Sequence, residues 1–124
     1  MSEKCLRILA VDNELSVTFS LRHIFNGPRY ELTAVENGDA ALSRIESGSD
    51  PYDVIIVDQK MPHMSGLELV GEMRKRGVTS KVMVLSADLP PEVLEAYERL
   101  DVHTVFPKPF DIVELRSAID HLVA

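Results

Sequence analysis

The chain has 124 residues, 45% hydrophobic but only 6% aromatic, enough for one domain with an aliphatic core. Its 13 Lys+Arg against 20 Asp+Glu leave a net charge of −7, which argues against a nucleic-acid-binding surface, since phosphate contacts need clustered basic side chains. The single cysteine, Cys5, excludes an internal disulfide, no apolar run approaches the roughly 20 residues of a membrane span, and the N-terminus lacks a signal-peptide core. A cytoplasmic domain over residues 1–124, touching neither nucleic acid nor membrane, is the expectation.

Along the chain, short apolar runs alternate with helical patterns. "LRILAV" (Leu6 to Val11) reads as a strand. "ELSVTFSLRHIFNG" follows, with Val17, Leu21, Ile24 and Phe25 at helical spacing and Gly27 as a stop. Glu31 to Val35 reads as a second strand, and "NGDAALSRIESG" as a helix presenting Ala41, Leu42 and Ile45 before Gly48. Val54 to Val57 is a third strand, followed by a helix with Leu69, Val70 and Met73 inward and Gly77 at its end. Its charged run "EMRKRG" reads as a solvated helix end, favourably basic at the C-terminus. Lys81 to Ala87 is a fourth strand; "PPEVLEAYERL" is a helix with Pro91 in its first turn and a Val93, Tyr97, Leu100 stripe. Thr104 to Phe106 is a short fifth strand, and "DIVELRSAIDHLV" a last helix facing in with Leu115, Ile119 and Leu122.

Continuously apolar strands are buried on both faces, which implies a parallel sheet, and alternation with helices implies right-handed crossovers. The fold class is therefore α/β: a flavodoxin-like, doubly wound (βα)5 sandwich with strand order 2-1-3-4-5. In such a sheet, sites form beyond the carboxyl ends of the strands. Those ends carry Asp12, Asn13 and Glu14 after strand 1, Asp58 after strand 3, Ser86 on strand 4, and Lys108 after strand 5. Asp53 lies at the amino end of strand 3 and belongs to the opposite edge.

Two carboxylates at about 4 Å repel by roughly 4 kcal/mol at an effective dielectric of about 20, so the site needs cations. A hard divalent ion, Mg2+ or Mn2+, suits oxygen ligands from Asp12, Asn13, Asp58 and a backbone carbonyl, and Lys108 adds an ammonium. Metal, lysine and a hydroxyl converging on one carboxylate suit a phosphoryl group, with the carboxylate as nucleophile.

"ILAVDNE", "DVIIVDQKMPHMSGLEL", "VMVLSA" and "FPKPFD" together resemble the receiver domain of two-component response regulators. The resemblance implies that Asp58 accepts a phosphoryl group from a phosphohistidine on a sensor histidine kinase or phosphotransfer protein. It implies that Asp12 and Asn13 hold Mg2+ with the backbone carbonyl of Lys60, that Ser86 contacts the phosphoryl group, and that Lys108 pairs with it. The Lys108–Pro109 bond is expected to be cis. Such a domain catalyses its own phosphorylation and dephosphorylation and is not a metabolic enzyme. Its output would be a changed face formed by helix 4, strand 5 and helix 5, read by a downstream protein, an appended output domain or a second copy in a homodimer.

Three differences from the family pattern stand out. Asn13 stands where a second acid is usual, which weakens Mg2+ binding; a solvent-facing Glu14 is favoured over one that reaches the site to compensate. Asn13 is also a candidate N-cap, a role compatible with metal binding, and Asp12 has the same structural alternative. Val105 occupies the position of the switch aromatic, and strand alternation turns Phe106 the other way, leaving His103 or Tyr97 to carry part of the signal. Lys60 and Asp88 flank the approach of the hydrolytic water, where an ion pair between them would slow loss of the phosphoryl group.

Plainer roles stand beside these: Asp58 as a turn residue, Ser86 as a polar strand end, Lys108 as a solvated loop lysine. The histidines show no metal-ligand spacing, and Met61, Met64 and Met73 read as packing. Two other functions compete. A degenerate receiver that binds a protein without being phosphorylated would draw support from Asn13 and Val105. A flavodoxin-like nucleotide or flavin enzyme needs a Gly- or Ser/Thr-rich loop after strand 1, where "DNEL" is acidic and glycine-free.

Overall fold

The computed structural model describes residues 5–48, 51–102 and 104–124. Five strands and five helices alternate: β1 (Leu6–Val11), α1 (Leu15–Ile24), β2 (Tyr30–Val35), α2 (Gly38–Ser47), β3 (Val54–Asp58), α3 (Gly66–Lys75), β4 (Lys81–Ser86), α4 (Pro91–Arg99), β5 (Thr104–Pro107) and α5 (Ile112–Leu122). The sheet is parallel in the order β2-β1-β3-β4-β5, as the alternation predicted.

Side chains alternate across the central strands, and each face takes its own helices. Ile8, Ala10, Val54, Ile56, Met83 and Leu85 pack under α1 and α5 with Leu21, Ile24, Leu115 and Ile119. Leu9, Val11, Ile55, Val57, Val82 and Val84 pack under α2, α3 and α4 with Leu42, Leu69, Met73 and Tyr97. All five residues of β3 are buried, including Asp58 at its end. Such strands read as unbroken apolar runs because neither face meets water.

Local chemistry sets the helix ends. Asn37 caps α2 by accepting from Ala40 N at 2.8 Å. Ser65 and Glu68 form a reciprocal capping box on α3. Asp111 caps α5 by accepting from Glu114 N at 3.0 Å. Gly27 and Gly77 follow α1 and α3 with φ of 116° and 79°, the left-handed region where a side chain is costly.

Two local expectations are corrected. The N-cap position of α1 is Glu14, without a side-chain cap bond, so neither Asn13 nor Asp12 caps the helix. Asp12 Oδ1 instead accepts from Glu14 N at 2.8 Å, one step ahead of the helix. The "EMRKRG" helix end is not simply solvated: Arg74 donates to the carbonyls of Leu100 at 2.8 Å, Val78 at 2.8 Å and Ser80 at 3.1 Å. Its guanidinium satisfies carbonyls left by a helix end and a loop, where the fan of donors fits several acceptors at once. Among the described residues, no helix is long and apolar enough to cross a membrane.

Candidate functional site

The register delivers the predicted strand ends to one edge. Val11 pairs with Val57, Asp58 with Leu85, and Ser86 with Pro107, so the residues that follow β1, β3, β4 and β5 emerge together. Asp12 is 1% exposed and Asp58 3% exposed. Lys108 Nζ sits between three carboxylates, 3.0 Å from Asp12 Oδ2, 2.9 Å from Glu14 Oε1 and 3.1 Å from Asp58 Oδ1. The Lys108–Pro109 peptide is cis. Ligand oxygens of Asp12, Glu14 and Asp58 all lie within 4.8 Å of one another.

The electrostatics follow from this crowding. Burial raises the Asp58 carboxyl above its ordinary value, and the neighbouring Asp12 charge raises it further; Lys108 and the Lys60 amide, 3.4 Å from Oδ1, pull the other way without cancelling the effect. Burial works to lower the Lys108 ammonium, but Glu14, Asp12 and Asp58 together hold it above its ordinary value, so it is a permanent cation at working pH. Asp12 Oδ2 is fully buried and receives no well-directed hydrogen bond, although the lysine lies 3.0 Å away as an ion-pair partner. A cluster of hard carboxylate oxygens holding one under-satisfied atom fits a divalent cation such as Mg2+.

Glu14 is the residue that sequence reasoning undervalued. It faces solvent, as expected, but its carboxylate also reaches Lys108 and joins the acidic cluster. The N-cap geometry explains this, since an extended backbone (φ −93°, ψ 113°) precedes the helix and the Asp12 bond turns the chain back over the site. Asn13 is exposed and lines the same cleft.

Lys60 and Asp88 also line the cleft, but both are exposed and no ion pair joins them. Each charge is solvated, and an exposed pair gains little from contact. The Ser86 hydroxyl engages the backbone of Asp88, donating to its carbonyl at 3.0 Å and accepting from its amide at 3.2 Å. Val105 packs with the α2–α4 layer and Phe106 with the α1–α5 layer, the alternation expected of β5. Tyr97 is fully buried, with its hydroxyl bonded to Gln59 Oε1; His103 lies outside the described residues. Asp53, at the opposite edge, accepts from Arg7 N at 2.9 Å in a structural role.

Fold and site together define a flavodoxin-like α/β protein with an acidic pocket closed by a lysine. The response regulator receiver domain family matches residues 8–120, and the chain belongs to it, as a receiver domain of two-component signalling. It is similar to Sporulation initiation phosphotransferase F of Bacillus subtilis (strain 168), 30% identical over 119 residues that cover 96% of this chain and 92% of the relative. It is 34% identical to Response regulator MprA of Mycolicibacterium vanbaalenii, covering 95% of this chain but only 50% of that longer protein. Among solved structures it resembles the chemotaxis protein CheY4 of Vibrio cholerae, with a TM-score of 0.87, 25% identity, and coverage of 96% of this chain and 99% of that one.

Proposed function

We propose that this domain is a phosphoacceptor switch in which Asp58 receives a phosphoryl group from a phosphohistidine of a sensor kinase or phosphotransfer protein. The observation that carries this reading is the placement of Lys108 Nζ, 3.1 Å from Asp58 Oδ1, in a cluster with Asp12 and Glu14. An Asp58 carboxylate oxygen attacks phosphorus, the P–N bond to the donor imidazole breaks, and the imidazole leaves with a proton while an acyl phosphate forms. Lys108 neutralises charge on the transferring oxygens. Asp12, Asn13 and Asp58 would hold Mg2+ with the carbonyl of Lys60, Glu14 adding a further carboxylate, and the ion would neutralise phosphoryl oxygens when bound. Ser86, freed from Asp88, lies on the same cleft to donate to the phosphoryl group.

Phosphorylation would then shift an existing equilibrium between two forms of the α4–β5–α5 face, which a downstream protein, an appended output domain or a second copy would read. Lys60 and Asp88 would modulate hydrolysis separately, as solvated charges at the mouth of the cleft. The setting is cytoplasmic. Acetyl phosphate with Mg2+ should add one phosphoryl mass to the natural chain and none to Asp58→Asn. Absence of that gain in the natural chain would favour the degenerate, phosphorylation-independent binding module that Asn13 and Val105 suggest.

A further inference from the structure

Gln59 follows the phosphoacceptor directly and is bonded through both its side chain and its backbone. Its Oε1 accepts from the Tyr97 hydroxyl of α4 and from Leu67 N of α3 at 3.1 Å. Its backbone amide donates to Leu85 O at 3.1 Å, and its carbonyl accepts from Gly66 N at 3.0 Å. One residue therefore ties the end of β3 to β4, to the start of α3 and to the middle of α4.

Gly66 makes this junction close enough to matter. A Cβ there would stand 2.7 Å from the Tyr97 hydroxyl, 2.8 Å from Asp58 O and 2.9 Å from Gln59 Cα. Two of those three atoms are backbone and cannot yield, so the missing side chain is what leaves room for the Tyr97 hydroxyl beside the Asp58–Gln59 segment. Tyr97 is 0% exposed, and a buried hydroxyl needs a partner, so it follows its acceptor rather than letting go. Burial, and then the Asp58 charge, raise the phenol well above its ordinary value, so it stays a hydrogen-bond donor at any working pH. Val105 leaves no ring on β5 between α4 and the site. Beside it Leu94 and Glu95 of α4 line an open groove with Val102 and Val105.

We propose that Tyr97 is the positioning residue that couples Asp58 to α4: the Gln59–Tyr97 hydrogen bond transmits the shift of the β3 end when the phosphoryl group is seated. This rests on the phosphoacceptor reading. The aromatic of the switch comes from α4 and is read through a side-chain amide, in place of a ring on β5.

The test compares hydrogen exchange of the α4 peptide, with and without acetyl phosphate and Mg2+, in the natural chain, Tyr97→Phe and Gln59→Met, with loading followed in parallel by intact mass. Each chain serves as its own reference, so a uniform loss of stability does not imitate a loss of coupling. The expected result is an α4 exchange change in the natural chain that falls at least fivefold in both variants while phosphoryl loading persists. A change of natural size in either loaded variant overturns the coupling alone. No mass gain in the natural chain overturns the phosphoacceptor reading, and this inference with it.

Discussion

Asp58→Asn keeps the shape of the side chain and removes its charge. Holding an ionised carboxylate at 3% exposure costs several kcal/mol, taken as about 4. Asp12, with its oxygen within 4.8 Å, adds roughly 3.5 kcal/mol of repulsion at an effective dielectric of about 20. Lys108 at 3.1 Å returns roughly 5 kcal/mol on the same scale. Burial and repulsion together win, and metal-free Asp58→Asn should be more stable than the natural chain by about 2 kcal/mol, or roughly 6–8 °C in Tm for a chain of this size. Scanning calorimetry in EDTA at neutral pH reads this directly. The pH dependence has a defined sign. Folding raises the Asp58 pKa above its ordinary 3.8, so the native state holds that proton more tightly than the unfolded chain. The benefit to the natural protein is full below the ordinary value and lost as pH climbs through the raised one. The gap in Tm should therefore close as the pH falls toward about 4 and open above it. A variant less stable than the natural chain at neutral pH would refute the reasoning, because the lysine attraction would then outweigh burial.

Lys108→Met removes the cation shared by three carboxylates and should lower metal-free stability by about 3 kcal/mol in urea unfolding, with Mg2+ restoring part of the loss. The same variant should slow phosphoryl uptake from acetyl phosphate by about 100-fold, measured by intact mass against time. Glu14→Gln should weaken Mg2+ binding about tenfold by calorimetric titration, because it removes one of the three clustered carboxylates. Gly66→Ala forces a Cβ against Asp58 O and Gln59 Cα and should cost about 2 kcal/mol, read from the urea midpoint.

The fold was legible because its signals are local. The unbroken apolar runs of β1 and β3, helical spacing in α1 and α5, and the glycines after α1 and α3 need no distant partner to be read. Asp58, Asp12, Ser86 and Lys108 were legible by a further step, since a parallel sheet in this order brings its carboxyl ends together. The polar contacts were harder. The reach of Glu14 over the site depends on one extended residue before α1 and on a lysine 94 positions away. The carbonyls bound by Arg74 come from a helix end and a loop that sequence spacing does not bring together.

The amino-acid order alone determined the layers, the strand order and which charged groups lie at the carboxyl edge, because backbone periodicity and chain connectivity leave few alternatives. Only the tertiary structure decided that the ammonium stands among three carboxylates, that Lys60 and Asp88 stay apart, and that Gln59 meets Tyr97 across 38 positions. These depend on side-chain reach and on the few ångströms left open at Gly66, quantities that no periodic pattern encodes.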